Sequence, residues 1–327
     1  MSDIAHAGLL HFHADCRAGI DAGPRLIVLG AVHGNETCGT QGIRRAINDI
    51  ENGQLHIRRG SVTFVPITNP LAYARKQREG HRNLNRNFCP TAEPADFEDR
   101  IVNWLAPLLA QHDVLLDLHS FHTAGQPFVM LGPEDNSGAL EPFAHSAKER
   151  ALAQHLGVRR FVDGWLDTYA DGVANRVRQA EASKSRTDSL NTDARYGVGT
   201  TEYMRSVGGY GVTLECGQHE DAQSPAVAYR AIRNALAFLN ICDEPAPQAV
   251  SDTESLRLYK VVDKKQAEDG FARAWASFDR LEAGQLIGTF ADGTPVIAEK
   301  DGYIVFPNPK AAAGQEWFYL AEARPLF

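Results

Sequence analysis

Through residue 242, short continuous apolar runs alternate with segments whose apolar positions recur every three or four residues. "RLIVLGAV" (25–32), "SVTFVPIT" (61–68), "DVLLDLHS" (113–120) and "YGVTLECG" (210–217) read as buried strands. "CGTQGIRRAINDIENG" (38–53) and "FEDRIVNWLAPLLAQH" (97–112) have helical periodicity, and the first closes at a glycine. "GALEPFAHSAKERALAQHLG" (138–157) reads as mostly helix. "SPAVAYRAIRNALAFLNIC" (224–242) adds a helix with Ser224 as N-cap and Pro225 at its first position. Asn69-Pro70 marks a turn, and the polar "EASKSRTDSLNTDARYG" (181–197) a long surface loop. Strands alternating with helices predict an α/β fold, a mixed sheet flanked by helices, with ligands gathered beyond the carboxyl ends of the strands.

The pattern changes near residue 243. "DEPAPQAVSD" is acidic and Pro-rich, as linkers are, and short β-like runs follow it. The turn signals "ADGT" and "KDGY" predict hairpins among them. The expected division is therefore an α/β unit at 1–243 and a small, mostly β unit at 244–327, with no internal repeat.

Composition narrows the class without naming a function. The 327 residues are 43% hydrophobic and 23% charged, which is enough apolar content for a real core. The net charge of −8 argues against a nucleic-acid partner. No apolar stretch is long enough for a membrane span, and the first residues do not read as a secretory signal. Five widely spaced cysteines with no CxxC fit reduced thiols and a cytoplasmic location. A homo-oligomer is left open.

The chemistry is concentrated where the strands end. His33 and Glu36 stand three residues apart just past the first strand, a spacing that lets both side chains face one ion in a turn. His119 closes another apolar strand and supplies a third donor. Two His and one Glu with an open fourth position form one of the standard catalytic zinc sets. A hydrolytic zinc site also needs a base, and Glu215 ends the strand "VTLECG". A carboxylate there is costly without a partner or a task. Asp117, two residues before His119 and on the same strand face, is suited equally to orienting that ligand and to hydrogen bonding at the edge of the core. The stretch "RKQREGHRNLNRNF" (75–88) adds arginines and amides suited to a carboxylate-bearing substrate.

The ordered segments "GAVHGNET", "NLNRNF", "LLDLHS" and "VTLECG" resemble the succinylglutamate desuccinylase/aspartoacylase family, which belongs to the zinc carboxypeptidase-like folds. The likeness runs over roughly residues 24–242, and "DGYIVFPNP" extends it toward the C-terminus. The resemblance implies one Zn2+ per chain on His33, Glu36 and His119, with Glu215 as general base and acid. It implies Arg78 polarising the scissile carbonyl, and Asn85, Arg86 and Arg205 binding substrate. The implied reaction is hydrolysis of a small-molecule N-acyl amino acid. The family's substrate-contacting tyrosine from the C-terminal unit has no counterpart at Ala311–Ala313. Tyr303 is the nearest candidate, and His219 has no assigned role. Competing readings are a zinc carboxypeptidase acting on short peptides and a non-catalytic metal-binding protein.

Overall fold

The structure is a computed structural model that describes residues 10–183 and 192–325. Along the chain, β1 (Asp15–Ala18) and β2 (Asp21–Gly30) are followed by α1 (Cys38–Glu51), β3 (Arg59–Val65), α2 (Pro70–Arg75) and α3 (Phe97–Ala110). Next come β4 (Val114–Phe121), β5 (Phe128–Met130), α4 (Ser146–His155), β6 (Arg160–Asp163) and α5 (Trp165–Ser183). A 3-10 turn at Ala194–Gly197 leads into α6 (Thr200–Ser206), β7 (Tyr210–Gln218) and α7 (Ser224–Phe238). The remaining elements are strands: β8 (Glu254–Asp263), β9 (Gly270–Phe271), β10 (Arg280–Leu281), β11 (Leu286–Thr289), β12 (Pro295–Ile297), β13 (Gly302–Val305) and β14 (Glu316–Ala323).

Eleven strands form one sheet in the order β1-β3-β2-β4-β7-β5-β6-β8-β14-β13-β10, and β12-β11-β9 form a second. The centre is parallel: β3, β2, β4 and β7 pair in one direction, and β5 runs antiparallel to β7. Both faces of this centre are covered. Leu26 and Val28 of β2 pack with Ile43, Ala231 and Ile232 from α1 and α7, whereas Ile27 and Leu29 pack with Ile101, Leu105 and Leu109 from α3. Covering on both sides explains why these strands read as unbroken apolar runs rather than alternating ones. The sheet is thus the expected mixed α/β arrangement. It also continues past residue 243, because β8 pairs in parallel with β6 and carries β14, β13 and β10.

Several local expectations are corrected. Asn69-Pro70 opens α2: the Asn69 side chain accepts from Ala72 N at 3.0 Å and Pro70 sits in the first helical turn. Helix occupies only 146–155 of the 138–157 stretch. Gln223, not Ser224, is the N-cap of α7, and Ser224 Oγ donates instead to the carbonyl of Gln218 at 3.0 Å. The "ADGT" turn does close a hairpin between β11 and β12, with Phe290 N donating to Thr294 O. The "KDGY" turn does not. It joins β12 to β13, which lie in different sheets. Of the expected loop at 181–197, residues 184–191 lie outside the described residues, 181–183 end α5 and 194–197 form the 3-10 turn. Among the described residues, no helix is long and apolar enough to cross a membrane.

α1 and α7 approach each other closely at Gly42. A Cβ there would lie 2.9 Å from Ala228 Cβ and 2.9 Å from Tyr229 N. Alanine gains up to about 1 kcal/mol of helix propensity over glycine, but overpacking costs about 1–3 kcal/mol. Gly42→Ala is therefore expected to destabilise the protein. Urea denaturation should show a lower midpoint with an unchanged slope.

Candidate functional site

The carboxyl ends of β2, β4 and β7 place the four acid and imidazole candidates together. After Gly30 the chain turns at Ala31, which has φ 49°. It then passes so close to α2 that a Cβ on Gly34 would lie 2.0 Å from the carbonyl carbon of Ala72. This turn delivers His33 and Glu36 to the sheet edge ahead of α1. His119 is near the end of β4, and Glu215 is its direct register partner on β7.

Glu36 is 1% exposed and has four partners. His33 Nδ1 lies 2.9 Å from its Oε1 and His119 Nδ1 lies 2.9 Å from its Oε2. Arg78 Nη1 donates to Oε1 at 2.8 Å, and the Ser120 backbone N donates to Oε2 at 3.1 Å. Burial by itself would raise the Glu36 pKa. The two imidazoles outweigh it and hold the carboxyl well below its usual range. Burial, aided by Arg78, pushes His33 down to about 4. His119 is also buried, but Asp117 and Glu36 hold it well above the usual value. The donor atoms of His33, Glu36 and His119 lie within 4.8 Å of one another, an arrangement suited to holding a metal ion.

The second nitrogen of His33 is hydrogen-bonded, whereas that of His119 has a charged neighbour within reach but no hydrogen bond among the described residues. His33 Nε2 lies 3.0 Å from Asn83 Oδ1, and His119 Nε2 lies 3.0 Å from Asp117 Oδ2. In both rings Nδ1 faces Glu36. The same contacts tie this cluster to the arginine-bearing loop. Asn83 Oδ1 accepts from Asn85 N at 2.9 Å, and Asn85 Oδ1 accepts from Thr200 N at 3.0 Å. Thr200 Oγ1 donates to Asp117 Oδ2. Asp117 thus lies 3.0 Å from the His119 ring nitrogen, while its hydrogen bond among the described residues is the one from Thr200 Oγ1. Asn83 and Thr200 were not singled out by the sequence reading. Asn83 lay in view inside "NLNRNF", whereas Thr200 is brought in only by the start of α6.

Glu215 has the opposite environment. Burial, and then the nearby Glu36 charge, raises its pKa to about 8 against the pull of His119 and Arg78. Its Oε2 is buried with no hydrogen-bond partner among the described residues. A cavity of about 250 Å³ opens beside it, lined by Arg78, Asn85, Arg86, Trp165 and Tyr319 among others. The Arg86 guanidinium lies 4.6 Å from the centre of the Trp165 ring, and its Nη1 donates to Asn85 O at 2.9 Å.

Arg205 also reaches the cavity wall but is placed differently from Arg78 and Arg86. It is 4% exposed and bonded to Glu149 through Nε and Nη2 at 2.9 and 3.1 Å, and to Glu141 through Nη1 at 2.7 Å. Tyr303 is not among the cavity residues and pairs with Ala321 across β13 and β14. The C-terminal tyrosine at the cavity is Tyr319, whose buried hydroxyl has no partner. His219 lies beside the cluster, with Nδ1 2.8 Å from Ser120 Oγ and its ring against His122.

Fold and site together define an α/β protein with a candidate metal centre at the carboxyl edge of its central strands. Residues 22–154 match the succinylglutamate desuccinylase/aspartoacylase catalytic domain. Among solved structures, it is similar to a product-bound ectoine utilization protein from Ruegeria pomeroyi, at 19% identity over 94% of this chain and 88% of that one, with a TM-score of 0.69. It is also similar to a succinylglutamate desuccinylase/aspartoacylase from Rhodobacter sphaeroides (16% identity, 96% and 90% covered, TM-score 0.70). A succinylglutamate desuccinylase from Vibrio cholerae gives 17% identity, 98% and 94% coverage and a TM-score of 0.68. At these identities the likeness to solved structures is one of fold. No curated protein matches the chain.

The raised Glu215 pKa has a consequence for stability. The folded protein keeps a proton on Glu215 that the unfolded chain loses above its ordinary value of 4.5. Stability therefore falls as pH rises from there toward about 8. Glu215→Gln removes that loss. In metal-free protein, thermal melts should show the variant more stable than the parent at about pH 8, with the gap closing toward about pH 4.

Proposed function

We propose that the chain is a zinc-dependent amide hydrolase that removes the acyl group of a small N-acyl amino acid. The observation that carries this reading is the register pairing of His119 with Glu215. It sets an unpartnered, buried carboxylate oxygen beside the His33–Glu36–His119 cluster. The donor chemistry fits one Zn2+ per chain, which when bound supplies a Lewis acid and an acidified water.

The chain's own residues supply the rest of the reaction. Glu215 takes a proton from the attacking water and returns it to the leaving amine. In the metal-free protein, burial and the Glu36 charge hold its pKa above the usual carboxylate value, toward the range a proton carrier needs. Arg78 keeps one Nη on Glu36 and faces the cavity, where its charge stabilises the developing oxyanion. Arg86 and Asn85 hold the substrate carboxylate, so that attack is effectively intramolecular. The oxygen of Asn85 is spent on Thr200 N, so its amide nitrogen is the donor it offers. Asn83 and Asp117 keep both imidazoles in the ligating orientation.

Phe306, Gln315 and Tyr319 from the C-terminal stretch line the same cavity. A space of about 250 Å³ favours a small substrate over a peptide. The division into a hydrolase unit at 1–243 and a β unit at 244–327 thus becomes one of roles, the second closing the site that the first builds. The five free thiols support a reducing, cytoplasmic setting.

Purified protein should contain about one zinc per chain and release amine from a panel of N-acetyl, N-formyl and N-succinyl amino acids. Glu215→Gln should keep its zinc and lose about 10²–10⁴ in kcat. A wild type that takes up no zinc on reconstitution, or a Gln variant with full turnover, would overturn the reading. Asp117→Asn should weaken zinc about 10–100-fold in chelator competition, with the fold intact by circular dichroism.

A further inference from the structure

The cavity's positive charge is unevenly available. Three guanidinium groups line it, those of Arg78, Arg86 and Arg205. Arg78 gives one nitrogen to Glu36. Arg86 forms no ion pair among the described residues, and its guanidinium contacts the Asn85 carbonyl and the Trp165 and Tyr169 rings. Arg205 is largely committed, with four of its five N–H groups donating to protein oxygens. Nε and Nη2 hold the two oxygens of Glu149, Nη1 donates to Glu141, and Nη2 also donates to the carbonyl of Gly211 at 2.8 Å. A third carboxylate, Glu202, lies 3.5 Å from Nη1.

One guanidinium thus stands against three carboxyl groups, two of them buried (Glu149 and Glu202) and Glu141 partly so. Burial raises the Glu141 pKa to about 7, and Glu202 and Glu149 add to the rise against the pull of Arg205. Three acids besides Glu215 also line the cavity itself, Glu79, Glu202 and Glu316. A ligand carboxylate placed near Arg205 would meet acids rather than an available cation.

We propose that this site takes N-acyl amino acids bearing a single carboxylate, held by Arg86 and Asn85, with a short uncharged acyl group and a side chain that is not acidic. The proposal rests on the deacylase reading and deepens it. It excludes both a succinyl group and an acidic amino acid, because each brings a second carboxylate for which Arg205 is already spent.

Matched substrates test this without any variant. N-acetylglutamine against N-acetylglutamate, and N-acetylglutamine against N-succinylglutamine, each differ by one carboxylate. The second carboxylate is expected to lower kcat/KM about tenfold or more. An equal or better rate for either dicarboxylate overturns the proposal while leaving the deacylase reading intact. Binding separates the two claims further. In zinc-loaded Glu215→Gln, calorimetry should show the monocarboxylate binding more tightly. If no substrate turns over, that preference still supports the charge argument while the hydrolase reading falls. Tighter dicarboxylate binding, or no binding at all, overturns the proposal.

Glu141→Gln frees Arg205 Nη1 and should shift the dicarboxylate-to-monocarboxylate ratio of kcat/KM upward. A folded, zinc-loaded variant with an unchanged ratio would count against Arg205 as the deciding group.

Discussion

A fully buried carboxylate is tolerable only when its partners replace the water it has lost, and Glu36 has four such partners. They come from three separate parts of the chain: His33 from the turn after β2, His119 and the Ser120 amide from β4, and Arg78 from the loop after α2. Satisfying one acid therefore fixes the relative positions of two central strands, the turn between β2 and α1, and the cationic loop. The tight passage of Gly34 against Ala72 belongs to the same constraint, since any Cβ there would push the turn off α2 and carry His33 away from the cluster.

Glu215 stands beside this cluster under the opposite conditions. Glu36 is surrounded by donors and stays ionised. Glu215 has one oxygen with no partner and feels the Glu36 charge, so it keeps a proton toward about pH 8. Two glutamates at one sheet edge are thus driven to different protonation states, which is how a site separates a fixed anion from a proton carrier. The register of β4 and β7 sets this up, placing His119 and Glu215 side by side on adjacent strands.

This explains what could be read in the sequence. His33, Glu36, His119 and Glu215 were legible because the strands that carry them are apolar on both faces, so a polar residue at the end of such a run stands out. The central strands and the long helices α1, α3 and α7 were legible from period alone. Asn69-Pro70 was misread because a turn and a helix start share the same two residues, and only the Ala72 amide on the Asn69 oxygen separates them. "KDGY" was misread because turn chemistry says that the chain reverses, not which sheet it enters. The short strand β6 and the mixed-polarity helix α5 gave too little period to be singled out. Tyr319 was invisible because its place at the cavity depends on β14 pairing with β8, and β8 with β6.

Arg205 shows a different limit. A residue's type gives the sign of its charge, but not whether that charge is available. What spends Arg205 is Glu149 on α4 and Glu141 in the stretch before it, which no local spacing connects to the "YMRS" segment. Likeness to a family carries over positions in the same way, without the state of the groups that occupy them. Arg86 and Arg205 are both arginines at one cavity. Arg86 rests on aromatic rings and a carbonyl with no ion pair among the described residues, whereas Arg205 is outnumbered by acids. The number of carboxylates a substrate can present to this site is therefore set by the packing of α4 and α6 against β7, and not by the number of arginines in the chain.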